Sequence, residues 1–405
     1  MRFRTSNIMQ KSSVEMPHVV DDIRAYLLFS YKTKPSVYAI GSISRDKFIE
    51  VGEASRNLIL YAASLMDGKH SYEEIEQRIA EETGKIINTR KLFQSFEQAN
   101  LAFDEGNQNR IKSEYESLSI KIIDFDLSRL KKLFVSLSGF SMPLFVLTGI
   151  SIFFTVVFAL LYPSAFRAVS ILGFENHIVG NLIIIIFLYV LSIVLHELAH
   201  GIVGSRYGLM PKKLTISLYL GFSPIIYIKV PGLYTIKPRE RILVWCAGVA
   251  FNALLACIGF MTSILLRNLG NGLLSEFFLR FGYLNAVFSI VNLCPLLPLD
   301  GYFLLSTICK APNLRRGAFV NVAKSFQEKK LLLSPGQCVY FVCSALMMGF
   351  VIYREVYAMV EMFTRALPNG IYSAFWSIKQ YLLLILFVIV RKIIKSTVKR
   401  KKSSA

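Results

Sequence analysis

Six largely apolar stretches, at roughly 143–162, 178–200, 242–266, 277–294, 338–360 and 378–395, leave the chain few folds to choose from. About 20 apolar residues of helix cross a bilayer, and no water in the hydrocarbon can satisfy a loose backbone amide, so such stretches must be helical. All six lie beyond residue 133, whereas residues 1–132 are mixed and rich in charge. The expected fold is mainly α: a polytopic helical membrane protein of about six transmembrane helices, preceded by a small domain outside the lipid. Residues 1–10 carry two arginines with no apolar core after them, so no secretory signal is expected there.

The chain has 46 Lys+Arg against 27 Asp+Glu, a formal charge of +19. Where the charge sits argues against nucleic acid as the expected partner. Seven basic residues (Arg391, Lys392, Lys395, Lys399, Arg400, Lys401 and Lys402) follow the last apolar run, and 310–330 holds six more. Juxtamembrane positions like these are explained by the positive-inside rule and by anionic lipid head groups, and no nucleic-acid motif accompanies them. The connection 163–177 has Arg167 as its only basic residue and 268–276 has none, while Arg206, Lys212 and Lys213, then Lys237, Arg239 and Arg241, mark the alternate connections. Both termini are therefore expected in the cytosol of a multi-pass cell-membrane protein. The six cysteines fall in or beside apolar segments without a Cys-x-x-Cys pair, and read as small core residues.

The second apolar run ends in His196-Glu197-Leu198-Ala199-His200. Residues four apart share a helix face, so His196 and His200 can present imidazole nitrogens to one zinc ion, with Glu197 one step round reaching its water. Two histidines and a carboxylate at membrane depth are costly without a metal or another partner. The motif therefore points to an enzyme working in lipid, with one Zn2+ per chain. A catalytic zinc takes three protein ligands and keeps one position open. Asp300, in Asn292-Leu-Cys-Pro-Leu-Leu-Pro-Leu-Asp-Gly301, is the best third candidate, because its span and that of the histidines run the same way and end at the same depth. Asp is also a good N-cap, so Asp300 as the cap of a helix beginning near Gly301 remains open, and the two roles can coexist.

Between the second and third spans, 214–236 is rich in β-branched and aromatic residues and contains Gly221 and Pro224, which suggests a short re-entrant β hairpin. Non-helical backbone at that depth needs protein or a wet cavity around it. A strand edge beside the motif could take an unwound peptide as an added strand; an interfacial loop with no substrate role is the alternative.

The pattern His196-Glu-Leu-Ala-His200-Gly, followed about a hundred residues later by Asn292-x-x-Pro-x-x-Pro-Leu-Asp300-Gly301, resembles the site-2 protease family of intramembrane zinc metalloproteases. The segment Arg241-Ile-Leu-Val-Trp-Cys-Ala-Gly248-Val-Ala-Phe-Asn252 is similar to that family's third core helix. The resemblance implies His196, His200 and Asp300 as zinc ligands, Glu197 as general base, and Asn292 as a group positioning the substrate backbone or its oxyanion. An amide hydrogen-bonded to a neighbouring helix is the alternative for Asn292, and Asn252 reads as packing. No insert resembles a PDZ domain.

Substrate selection is then expected from the amino-terminal region. Short strands at 37–40 and 47–51 precede helical stretches at 54–66, 71–83 and 89–101, with a capping-box pattern at Ser71-Tyr-Glu-Glu74 and Tyr72, Ile75 and Ile79 on one face. Strands with three helices suggest a winged-helix-like α+β unit. Together with Leu65-Met-Asp67-Gly68 this resembles PqqD-like peptide-recognition domains, which bind the leader of a ribosomally made peptide as an added strand. Five Glu and one Arg over 71–82 oppose DNA binding. The expected organisation is an extension at 1–32, this domain at 33–106, a linker at 107–132, a metalloprotease core at 133–310, carboxy-terminal helices at 311–397 and a basic tail at 398–405.

These readings favour a zinc endopeptidase that matures such a peptide or its leader. The alternatives are regulated cleavage of a single-span signalling protein of the anti-sigma type, and a non-catalytic transporter or export partner with a structural zinc. The intact Glu197 opposes the last.

Overall fold

A computed structural model describes residues 16–31, 34–103, 119–161, 163, 178–219, 223–311 and 313–378. The chain divides into two compact units, Met1–Pro312 and Asn313–Ala405.

The first unit opens with an antiparallel sheet in the order β1 (Arg24–Phe29), β2 (Val37–Ser42), β3 (Lys47–Gly52). β1 falls within the stretch expected as an extension, so the fold begins earlier than its hydrophobic pattern suggested. Its six residues, RAYLLF, do not alternate, which hides a strand of this length. Three helices follow: α1 (Glu53–Leu65), α2 (Tyr72–Thr83) and α3 (Thr89–Gln98). The capping box at α2 is formed. The Ser71 amide donates to Glu74 Oε2 at 2.8 Å and the Glu74 amide to Ser71 Oγ at 3.2 Å, so two orphan amides are satisfied reciprocally. Gly84 ends the helix at φ 66°, a left-handed conformation that costs glycine little. Tyr72, Ile75 and Ile79 are buried with Ala62, Met66, Phe93, Phe96 and Leu101 in one apolar cluster.

A second antiparallel sheet has the order β4 (Ser119–Asp126), β5 (Lys213–Tyr219), β6 (Ser223–Lys229). The expected hairpin is thus the last two strands of three. The third strand comes from the stretch read as a linker; Leu127, just after it, and Phe134 bury with Leu214 and Ile226 against Ile193, Val194, Leu198 and Ile202 of the motif helix. Pairing with β5 satisfies the β4 backbone groups on that side, which an isolated linker would leave to water.

Helix α4 (Lys131–Leu137) leads into α5 (Ser141–Leu161), α6 (Ile178–Arg206), α7 (Pro238–Asn268), α8 (Gly272–Asn292) and α9 (Asp300–Ile308). α7 and α8 form the tightest crossing. A Cβ on Gly259 would lie 2.7 Å from the Gly282 amide nitrogen and 2.8 Å from its Cα, so the two backbones approach as only glycines permit. Ser275 Oγ donates to the Ser263 carbonyl at 2.9 Å across the same seam. α5 is the opposite case: Phe153, Phe154, Leu160 and Leu161 are all exposed among the described residues, an apolar face that suits hydrocarbon.

The second unit contains α10 (Leu314–Glu328), α11 (Pro335–Ala366) and α12 (Ile371–Ser377). Ser334 and Gln337 form a capping box at the start of α11, and Gln337 Oε1 also accepts from Asn321 Nδ2 at 3.1 Å, tying α10 to α11. Leu346, Phe350 and Tyr353 of α11 are exposed.

Among the described residues five helical segments are long and apolar enough to cross a membrane: Ser128–Leu161, Ile183–Arg206, Pro238–Asn268, Gly272–Asn292 and Pro335–Asn369. They coincide with the first five expected spans. The sixth, 378–395, lies outside the described residues apart from Ile378. All six cysteines are free, but Cys257 alone is buried, while Cys309 and Cys343 are exposed rather than in a core.

Candidate metal centre

His196 and His200 sit one turn apart near the end of α6, both buried, and Asp300 is the first residue of α9. The residue before it, Leu299, occupies the cap position, and no side chain caps the helix, so Asp300 does not act as the N-cap that its residue type allowed. Its carboxylate turns to the histidines instead. Asp300 Oδ2 lies 3.0 Å from His196 Nε2 and 3.2 Å from His200 Nε2, and the two Nε2 atoms are 3.2 Å apart.

The donor set suits a metal ion. Ligands about 2.0–2.1 Å from a tetrahedral zinc stand roughly 3.3 Å from one another, close to each edge of this triangle. His200 Nδ1 contacts the Val244 carbonyl oxygen at 2.7 Å. That partner can only accept, which places a proton on Nδ1 and leaves the Nε2 lone pair directed at the other two donors. Converging lone pairs from two imidazoles and a carboxylate repel one another unless a cation or added protons stand between them. Among the described residues this is the one cluster of three or more His, Cys, Asp or Glu side chains close enough to hold a metal. His196 Nδ1 is buried and has no hydrogen-bond partner among them.

Room for the two rings comes from Gly248 of α7. A Cβ there would fall 2.6 Å from His200 Nε2 and closer still to His196 Nε2, so only glycine lets α7 lie against them. Gly301 has a similar role beside Asp300, since a Cβ on it would overlap the Leu293 carbonyl and push α9 away from the end of α8. Sequence reasoning attached no role to Gly248 or Gly301, although a glycine inside an apolar helix is the available signal.

Glu197 points to the sheet. Its Oε2 accepts the Ile228 amide at 2.8 Å, from the edge of β6 that β5 does not cover. One turn back from His196, Ser192 Oγ accepts from Asn285 Nδ2 at 3.0 Å, and both residues are fully buried. Asn252, four residues beyond Gly248, is also fully buried, and neither its amide oxygen nor its nitrogen has a partner among the described residues. Asn292 is the last residue of α8 and half-buried. Among the described residues it makes no hydrogen bond to the triad, nor the interhelical one expected as its alternative.

No protein-family model matches the chain, and no solved structure matches it. Over 144 residues it is 31% identical to "Putative zinc metalloprotease YwhC" of Bacillus subtilis (strain 168), an alignment covering 29% of this chain and 66% of that protein, just under two thirds of its length. This similarity and the His-His-Asp cluster together support a zinc metalloprotease relationship.

Proposed function

We propose that the protein is a zinc-dependent intramembrane endopeptidase of the site-2 protease type. The observation that carries the reading is the triangle of His196 Nε2, His200 Nε2 and Asp300 Oδ2, with no edge longer than 3.2 Å, beside the Glu197 carboxylate. A zinc ion held there supplies a Lewis acid and makes a water molecule acidic enough to be deprotonated near neutral pH. Glu197 is the base in this reading. With Oε2 engaged by the Ile228 amide, Oε1 is the oxygen left to take a proton from the attacking water and hand it to the leaving amine. The uncovered edge of β6 receives the substrate as an added strand, which gives its amides partners once its own helix unwinds and brings a peptide carbonyl beside Glu197. Asn292 is the candidate for steadying that carbonyl, and the termini lie in the cytosol of the cell membrane.

The substrate class follows from the amino-terminal region. Its strands and three helices support a peptide-recognition unit of the PqqD-like kind, and maturation or leader removal of a ribosomally made peptide is the reaction proposed. Elemental analysis of detergent-solubilised wild type, His196→Ala, Glu197→Gln and Asp300→Ala tests the centre. About one zinc per chain in wild type and Glu197→Gln, with loss in the other two, supports it; full metal in Asp300→Ala overturns the ligand set. Retention of a fluorescent leader-peptide library by wild-type protein tests the substrate class, against a single-span membrane protein as the competing substrate.

A further inference from the structure

Four consecutive residues at and just past the end of β1 touch the first turn of α7 and the turn that follows α9, two helices that both serve the metal centre. Arg241, in the first turn of α7, is 1% exposed and donates from Nη2 to the Leu28 carbonyl at 2.9 Å, with its guanidinium 5.4 Å from the centre of the Phe29 ring and 5.7 Å from that of Tyr234. Lys310 lies two residues beyond the end of α9. Its ammonium donates to the Ser30 carbonyl, and its own carbonyl accepts from the Tyr31 hydroxyl at 2.6 Å.

Each contact leads to the triad by a short path. One turn after Arg241 comes Val244, whose carbonyl holds His200 Nδ1, and one turn after that comes Gly248, against both imidazoles. At the other end, α9 is nine residues long and starts with Asp300. The segment Leu28–Tyr31 therefore spans the distance between the helix that orients His200 and the helix that carries Asp300. Two more contacts keep the sheet in place on the same side: Asp46 Oδ1 accepts the Gly232 amide at 2.9 Å, and the Phe48 and Tyr234 rings meet edge-on at 5.8 Å.

We propose that the end of β1 is a strap that holds α7 and α9 at the spacing the metal requires, with Arg241 and Lys310 as positioning residues at its two ends. The amino-terminal region is then part of the frame of the metal centre as well as a place for substrate to bind. Burying a guanidinium is costly unless it is paired; the Ile236 carbonyl and the Tyr234 ring are local partners, while the shorter hydrogen bond, to Leu28, and the Phe29 ring are supplied by β1, so the pairing is incomplete without that strand. The proposal rests on the metal-centre reading above, in which partners outside the ligand set alter retention of the metal about 10- to 100-fold.

The test uses full-length protein in lipid nanodiscs: wild type, Arg241→Met, Tyr31→Ala and the double variant. Zinc release into excess chelator and amide hydrogen exchange are measured on each. A strap fails as a whole when either end is cut. Each single variant is thus expected to release zinc about tenfold faster and to speed exchange in both 238–248 and 300–310, and the double variant to be no worse than the worse single. The strap is overturned if each variant disturbs only the helix it touches, if the two effects multiply in the double variant, or if release stays within about twofold. Should wild type hold no zinc, the metal-centre reading fails, and exchange in the two segments still decides whether the strap exists.

Discussion

Ile228 donates its backbone N–H to Glu197 Oε2 at 2.8 Å, joining the edge of a β-sheet to the carboxylate between two histidines of a helix long and apolar enough to cross a membrane. Strand and motif are 31 residues apart in the chain. The bond fixes one oxygen of the Glu197 carboxylate against the open edge of β6.

Glu197→Gln keeps an oxygen for the Ile228 amide but has no basic site. Its fold and zinc content are expected to match wild type, while peptide cleavage falls about 10²- to 10⁴-fold, the usual worth of a general base. Single-turnover cleavage at saturating enzyme measures the loss. Cleavage within a few-fold of wild type would remove Glu197 from the chemistry.

Gly248→Ala puts a methyl group where the two imidazoles stand. Alanine favours a helix interior over glycine by about 1 kcal/mol, so α7 should form at least as readily. Zinc binding should nevertheless be weakened or lost, because a Cβ 2.6 Å from His200 Nε2 must displace the ring. Circular dichroism and elemental analysis on the same sample separate helix content from metal content. Normal zinc would show that the rings can yield without harm.

Gly282→Leu tests the crossing of α7 and α8. The new side chain meets the Phe260 ring and the Ala256 carbonyl, with the first contacts nearer than any real Cβ. Overpacking of this kind costs typically 1–3 kcal/mol. Thermal unfolding in detergent should shift downward by several degrees, whereas Gly149→Leu on α5, where nothing stands within 4 Å, should leave it unchanged.

Asp124 links β4 to β5. Burial pushes its carboxyl pKa upward, but hydrogen bonds from Lys121 and from Thr215 Oγ1 at 2.8 Å, with the Lys213 charge nearby, outweigh that and hold it below the usual carboxylate value. A folded-state pKa below the unfolded one means the contribution is complete above the unfolded value, about 3.9, and is lost as pH falls through the folded one. Hydrogen exchange of the β4 amides should therefore be steady from about pH 7 to 5, after correction for intrinsic rates, and accelerate below about pH 4. Asp124→Asn should abolish that acid dependence. An unchanged acid response in the variant would assign it to another group.

Much of this protein was legible from local pattern. Apolar runs of bilayer length had to become helices, since lipid offers no partner to a free amide. The i, i+4 geometry alone brings His196 and His200 together, and Ser71 and Glu74 cap α2 within four residues of chain. Each is an interaction whose partners the backbone already holds close. Asp300 was found as a carboxylate at the right depth, yet whether it faced the metal or capped its helix was open until the packing of α9 turned Oδ2 to the histidines. What only the tertiary structure decided joins residues far apart in the chain: β4 with β5 across some ninety residues, Gly248 against both imidazoles, Ile228 with Glu197, and Leu28 with Arg241 across 213. Sequence pattern records which face of an element is apolar, and many partners can satisfy one apolar face. Which partner is chosen depends on shape at the contact, a missing Cβ or a single directed hydrogen bond, and those act only once the helices have met.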